Sequence, residues 1–136
     1  MTEAEMRERF GRARIARLAT VDVDGQPHLV PICFALIGDR IVSVVDAKPK
    51  RTPKLRRLAN IRAQPRVSVL VDEYDEDWSR LWWVRADGAA RVVDQGPERE
   101  DAVATLSAKY PQYQELPPAG PVVEITVDRW RGWSAS

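Results

Sequence analysis

The chain has one cysteine, Cys33, and one histidine, His28, in 136 residues, and these two scarcities remove much familiar chemistry. A lone cysteine cannot close an internal disulfide, which suits a reducing compartment, so a cytoplasmic location is expected. Cys33 lies in an apolar stretch and is read as a core residue. One histidine leaves no Cys/His set to hold a metal, and none is expected. Long apolar runs are missing too, since none approaches the ~20 residues of a membrane span. The opening Met1-Thr2-Glu3-Ala4-Glu5 lacks the basic start and apolar core of a signal peptide. Net charge is formally only +1, which argues against general nucleic-acid binding. What is present, 44% hydrophobic residues over residues 1–136, is read as one globular domain that buries about two-thirds of its unfolded surface.

The near-neutral total hides segregation. Six of the ten residues 48–57 are basic: Lys48, Lys50, Arg51, Lys54, Arg56 and Arg57. They follow Ile41-Val42-Ser43-Val44-Val45, which reads as a buried strand, and lead into a helix with Thr52 as N-cap and Pro53 at its first position. A strand feeding a basic turn that opens a helix suits a phosphate, because free backbone N–H groups, the positive dipole end and ammonium groups converge there. A solvated basic helix face explains the pattern as well. Residues 72–77 answer with five acids in six positions. They read as a solvated loop that carries Tyr74 and is followed by Trp78.

Periodicity predicts a first helix capped by Thr2 and Glu5, then strands over residues 15–23, 27–37 and 40–45, turned by Asp24-Gly25 and Gly38-Asp39. A helix follows the basic turn, with Leu55, Leu58 and Ala59 inward, and residues 67–71 form the next strand. Residues 81–93 are read as one strand kinked at Gly88. Pro97 opens another helix, and residues 122–127 form the last strand before a tail over 128–136. Six strands with short helices predict a small closed antiparallel barrel.

Five tryptophans sharpen this picture. Adjacent Trp82 and Trp83 must face opposite sides of one strand. One fills the core, and the other needs a partner subunit or a flat aromatic ligand to cover it.

Several segments resemble one family in their order and spacing. Arg51-Thr52-Pro53-Lys54-Leu55-Arg56-Arg57-Leu58-Ala59, followed by Gln64-Pro65-Arg66-Val67-Ser68-Val69, resembles the cofactor-phosphate segment of the pyridoxamine phosphate oxidase-like flavin-binding split-barrel superfamily. Gly25-Gln26-Pro27-His28-Leu29-Val30-Pro31 and Gly88-Ala89-Ala90-Arg91-Val92 resemble its second and bent central strands. The stretch from Asp77-Trp78 through Trp82-Trp83-Val84-Arg85-Ala86-Asp87-Gly88 is most similar to the branch that uses the deazaflavin coenzyme F420.

The resemblance implies a six-stranded split β-barrel and a homodimer with cofactor sites at its interface. The phosphate would be held by Thr52 and Lys54, with Lys48, Lys50 and Arg51 close by. His28, Pro31, Val44 and Val45 would line the tricyclic ring, Trp82 or Trp83 would wall it, and Arg129 and Trp130 would approach from the partner. His28 and Tyr74 are the candidate proton donors, and no residue needs to be a covalent nucleophile. The implied activity is hydride transfer between reduced F420 and a small electrophilic organic substrate. An FMN-dependent oxidase or reductase, or a non-enzymatic cofactor carrier, uses the same fold. Two departures stand out: Thr52-Pro53-Lys54 replaces the Ser-Arg-Lys common among FMN oxidases, and the Arg/His-bearing C-terminal segment of true pyridoxamine phosphate oxidases is missing, which argues against vitamin salvage. A nucleic-acid partner is not expected, because no aromatics interleave the basic run.

Overall fold

The computed structural model describes residues 1–45 and 53–136, the side chains of residues 53–55 excepted. Thr2 caps α1 (Glu3–Arg12) with the predicted reciprocal pair: its hydroxyl accepts from the Glu5 N–H at 3.1 Å, and the Glu5 carboxylate accepts from the Thr2 N–H at 2.7 Å. The strands β1 (Ala16–Val21) and β2 (Pro27–Ile32) form the first hairpin, where Gly25 takes the positive φ of 86° that its turn requires.

Residues 27–37, expected as one strand, are two. β2 pairs with β1, while β3 (Ala35–Ile37) pairs with β4 (Arg40–Val44) on the other side of the barrel. The backbone freed at the break is satisfied from elsewhere. Phe34 N–H donates to the Tyr110 hydroxyl at 3.1 Å, and Ser43 Oγ donates to the Cys33 carbonyl at 2.8 Å. Cys33, read as a core residue, is exposed at this junction.

The remaining elements are α2 (Pro53–Ala63), β5 (Arg66–Glu73), a 3₁₀ turn (Trp78–Arg80), β6 (Trp82–Val93), α3 (Pro97–Lys109), α4 (Gln112–Glu115) and β7 (Val122–Ser134). One antiparallel sheet has seven strands, not six, in the order β2-β1-β5-β6-β7-β4-β3. Its edges, β2 and β3, are joined only by Cys33 and Phe34. Seven strands laid flat would span about 29 Å, but three residue steps reach at most about 11 Å. The sheet therefore curls into a split barrel.

The kink predicted at Gly88 is present as a bulge. Asp87 faces Arg129 and Gly88 faces Val127, which leaves Asp128 as the extra residue. A Cβ at Gly88 would lie 2.1 Å from the Thr126 carbonyl oxygen, so only glycine fits. Beyond the bulge, residues 128–134, expected as a tail, continue β7 along β6 as far as Trp82 opposite Ser134. Phe10, Leu18, Phe34, Ile41, Val69, Val84 and Ile125 fill the barrel, with Leu58 and Ile61 of α2 packed into the same cluster. Ala102 and Leu106 of α3, with Tyr110 at its C-terminal cap, cover Val42 and Val44 from outside. Among the described residues no helix is long and apolar enough to cross a membrane.

Candidate functional site

The head of α2 meets the first hairpin at one end of the barrel. Thr20 and His28 are cross-strand partners, and Asn60 reaches from α2 to donate to the Thr20 hydroxyl at 3.0 Å in a buried contact. That bond fixes α2 over β1. One turn earlier, Arg56 Nη1 lies 3.5 Å from His28 Nε2, and the Asp22 carboxylate lies 3.6 Å from the same nitrogen. The Gln26 N–H above all, helped by the Asp24 N–H and His28, holds the Asp22 carboxyl below its ordinary range against a smaller opposing desolvation.

The next residue, Arg57, is half-buried, and its Nε is wholly buried with no hydrogen-bond partner. Burial pushes its guanidinium below the ordinary arginine value. An unsatisfied buried cationic donor on a basic helix suits an anionic group, because such a group would restore the lost hydrogen bond and the lost charge balance.

A second feature covers the outer face of β1, β5, β6 and β7. Along β6, Val84 and Ala86 point inward while Trp83, Arg85 and Asp87 point outward. Trp83 sits directly opposite Trp133 of β7. A hollow of about 710 Å³ opens there, lined by Leu29, Leu70, Tyr74, Trp83, Arg85 and Trp133 among others. Leu29 is 70% exposed and Trp133 47%, large apolar surface for a single chain to leave in water. Beside the hollow, Arg85 grips Asp87 at 2.9 and 3.2 Å, and Ser68 Oγ donates to Asp87 at 2.8 Å. Partial burial pushes the Asp87 carboxyl up, but Arg85 and Ser68 together outweigh it and hold it low.

The residues predicted from sequence divide between these places. His28 joins Arg56 and Asp22, as described. Pro31 lies exposed on β2, on the strand face opposite His28, so the two do not form one wall. Val44 and Val45 are 6% and 3% exposed and pack into the two core clusters. Trp82 faces the barrel under Arg9, whose guanidinium is 5.3 Å from its ring, and Trp83 faces out, the opposition that adjacency requires. Arg129 is exposed on the outer face opposite Asp87. Trp130, expected to approach a partner's cofactor, is 7% exposed and packs edge-on against Phe10 at 5.2 Å, because the Asp128 bulge turns it inward. The Tyr74 hydroxyl accepts from Trp78 Nε1 at 3.3 Å and so keeps its proton for donation. Lys48, Lys50, Arg51 and Thr52 lie outside the described residues, as does the side chain of Lys54, whose backbone is in the first turn of α2. Arg57, Asn60 and Asp22 gave no signal as individuals in the sequence, since each is defined by what it meets across the fold.

Residues 2–134 match the family model described as pyridoxamine 5'-phosphate oxidase. A conserved hypothetical protein, Rv2991, from Mycobacterium tuberculosis superposes with a TM-score of 0.81 at 27% identity, covering 99% of this chain and 86% of that one. A FAD-binding protein from Mesorhizobium loti gives 0.73 at 23% identity, with 97% and 94% covered. HutZ, a heme storage protein from Vibrio cholerae, gives 0.74 at 16% identity, with 97% and 93% covered. The last two likenesses are of fold alone. No curated protein matches the chain.

Proposed function

The chain belongs to the pyridoxamine 5'-phosphate oxidase family, and from that premise we propose that it is an oxidoreductase using the deazaflavin coenzyme F420 on a small electrophilic organic substrate. The observation that carries the proposal is Arg57, a half-buried cation whose buried Nε has no partner among the described residues, on the helix that the basic run opens. When bound, the coenzyme supplies the hydride chemistry. Lys54, Thr52 and Arg51 hold its phosphate, with Arg57 as a further cationic donor. His28, set between Asp22 and Arg56, and Tyr74 are the side chains able to give up a proton. A second copy of the chain packs on the outer face and roofs the hollow at Trp83 and Trp133 without filling it, which screens the site from water.

Lys48 and Lys50 favour the deazaflavin over FMN, since they exceed what one phosphate requires and F420 carries additional carboxylates on its tail. Flavin is the second reading, favoured by the likeness to a FAD-binding protein. The test titrates purified protein with F420 and with FMN. F420 should bind more tightly, by a margin that shrinks as salt rises, and charge reversal at Lys48 or Lys50 should cost F420 affinity alone. Tighter FMN binding, or equal effects of the reversals on both, replaces the deazaflavin with flavin. Binding without turnover of any unsaturated carbonyl, quinone or nitro compound makes the protein a carrier. Light scattering should give a dimer, and a particle near 15.4 kDa would remove the second copy.

A further inference from the structure

The stretch from α1 into β1 carries arginines at positions 7, 9, 12, 14 and 17. The fold answers them unequally. Arg7 meets Glu3 at 3.0 Å and also Asp39, and Arg17 meets Asp72 at 3.0 Å. Arg14 donates to the Lys109 carbonyl at 2.8 Å and lies 4.8 Å over the Tyr110 ring. Arg9 lies over the indole of Trp82 and feels Glu5 only at longer range, and neither Arg9 nor Arg12 makes an ion pair among the described residues.

Arg9, Arg12, Arg14, Arg17 and Trp82 line a groove of about 410 Å³, with Asp72 and Glu73 its only acids. Asp72 is spent on Arg17, so three guanidiniums face the single carboxylate of Glu73. The carbonyl end of a helix tolerates cations in general, which accounts for arginines on the last turn of α1 but not for an indole under one of them. A guanidinium that stacks by its face keeps its N–H edges free, and those edges match a planar carboxylate in two parallel bonds. The groove shares Arg17, Asp72, Glu73 and Trp82 with the larger hollow walled by Tyr74, Trp83 and Trp133. One molecule can therefore set an anion among the arginines and an aromatic ring against the tryptophans. Glu73 makes a singly charged carboxylate easier to accept than a doubly charged phosphate.

We propose that this groove binds the carboxylate of a small aromatic acid, held chiefly by Arg9 and Arg12, with its ring passing Trp82 toward the outer hollow. Calling that acid the substrate rests on the redox reading above; the binding itself does not.

The test is a calorimetric titration of the protein with 2-naphthoate and with its neutral counterpart 2-naphthalenemethanol. The acid should bind at least about ten-fold more tightly than the alcohol, and high salt should erase the difference. Arg12→Ala and Arg9→Ala should each lose most of that preference while leaving the alcohol unaffected. Arg9 supports the packing of Trp82, so Arg12→Ala, on an exposed side chain, keeps the test decisive if Arg9→Ala unfolds. Equal binding of acid and alcohol, a preference that survives Arg12→Ala, or a dimer that excludes both probes overturns the proposal. If naphthoate binds as expected while neither F420 nor FMN binds, the groove stands and the redox assignment falls.

Discussion

Among the described residues, Arg57 on α2 and Arg12 on α1 are both arginines without a counter-ion, yet they sit in regions with opposite energetics. Arg12 is in water, where an unpaired guanidinium costs little and stays available to an incoming anion. The Nε of Arg57 is buried, and its desolvation is uncompensated. The α1–β1 corner therefore has capacity for an anion, whereas the head of α2 has a deficit that a bound anion would remove. The position of a cation relative to the core, more than local charge density, separates a site under tension from a basic surface.

Arg57→Met tests this contrast most severely. Cofactor affinity should fall by about ten-fold or more, the worth of a charge-assisted contact. The melting temperature of the cofactor-free protein should hold or rise, because an unpaired buried charge is gone. A clear fall in that melting temperature would make Arg57 structural and erase the difference between the two regions.

Thr20→Val should cost about 1–3 kcal/mol in urea unfolding, since the buried Asn60 amide loses its acceptor. Cofactor affinity should drop with it, as α2 loosens over β1. Unchanged stability would show that packing of Leu58 and Ile61 alone positions the helix.

The smallest effect is expected in the other region, at Lys109, which donates to the Gly11 carbonyl and has its Nζ 4.0 Å from the Phe34 ring. Burial first, then Arg14, lowers its ammonium from 10.5 to about 8. Between those values the unfolded chain holds a proton that the folded chain has released, so stability should rise as pH climbs from about 8 toward 10.5. Lys109→Met should flatten that rise and raise the melting temperature slightly at pH 7. A melting temperature that falls at both pH values would mean that the ring contacts outweigh the buried charge.

Much of the frame was legible in local patterns. The capping box at Thr2 and Glu5, the turns at Gly25 and Gly38, and the bend at Gly88 follow from conformational needs that a few neighbouring residues express by themselves. The fold family was legible for the same reason, through segments whose order along the chain mirrors the order of the elements. The Asp128 bulge was not, because an extra residue in one strand is defined only against its partner, and it reversed the inward and outward reading of everything after it. Trp130 went into the core as a result.

By itself, the sequence determined an antiparallel barrel with helices at its rim, a basic segment opening α2, and two adjacent tryptophans on opposite faces of β6. Only the tertiary structure decided which cations find a carboxylate. Arg7 and Arg17 meet acids 32 and 55 residues away, Arg9 meets an indole, and the Nε of Arg57 has no partner among the described residues. Charge pairing in this chain is long-range, and desolvation depends on what the rest of the fold places over each group; neither quantity is present in any local stretch of residues.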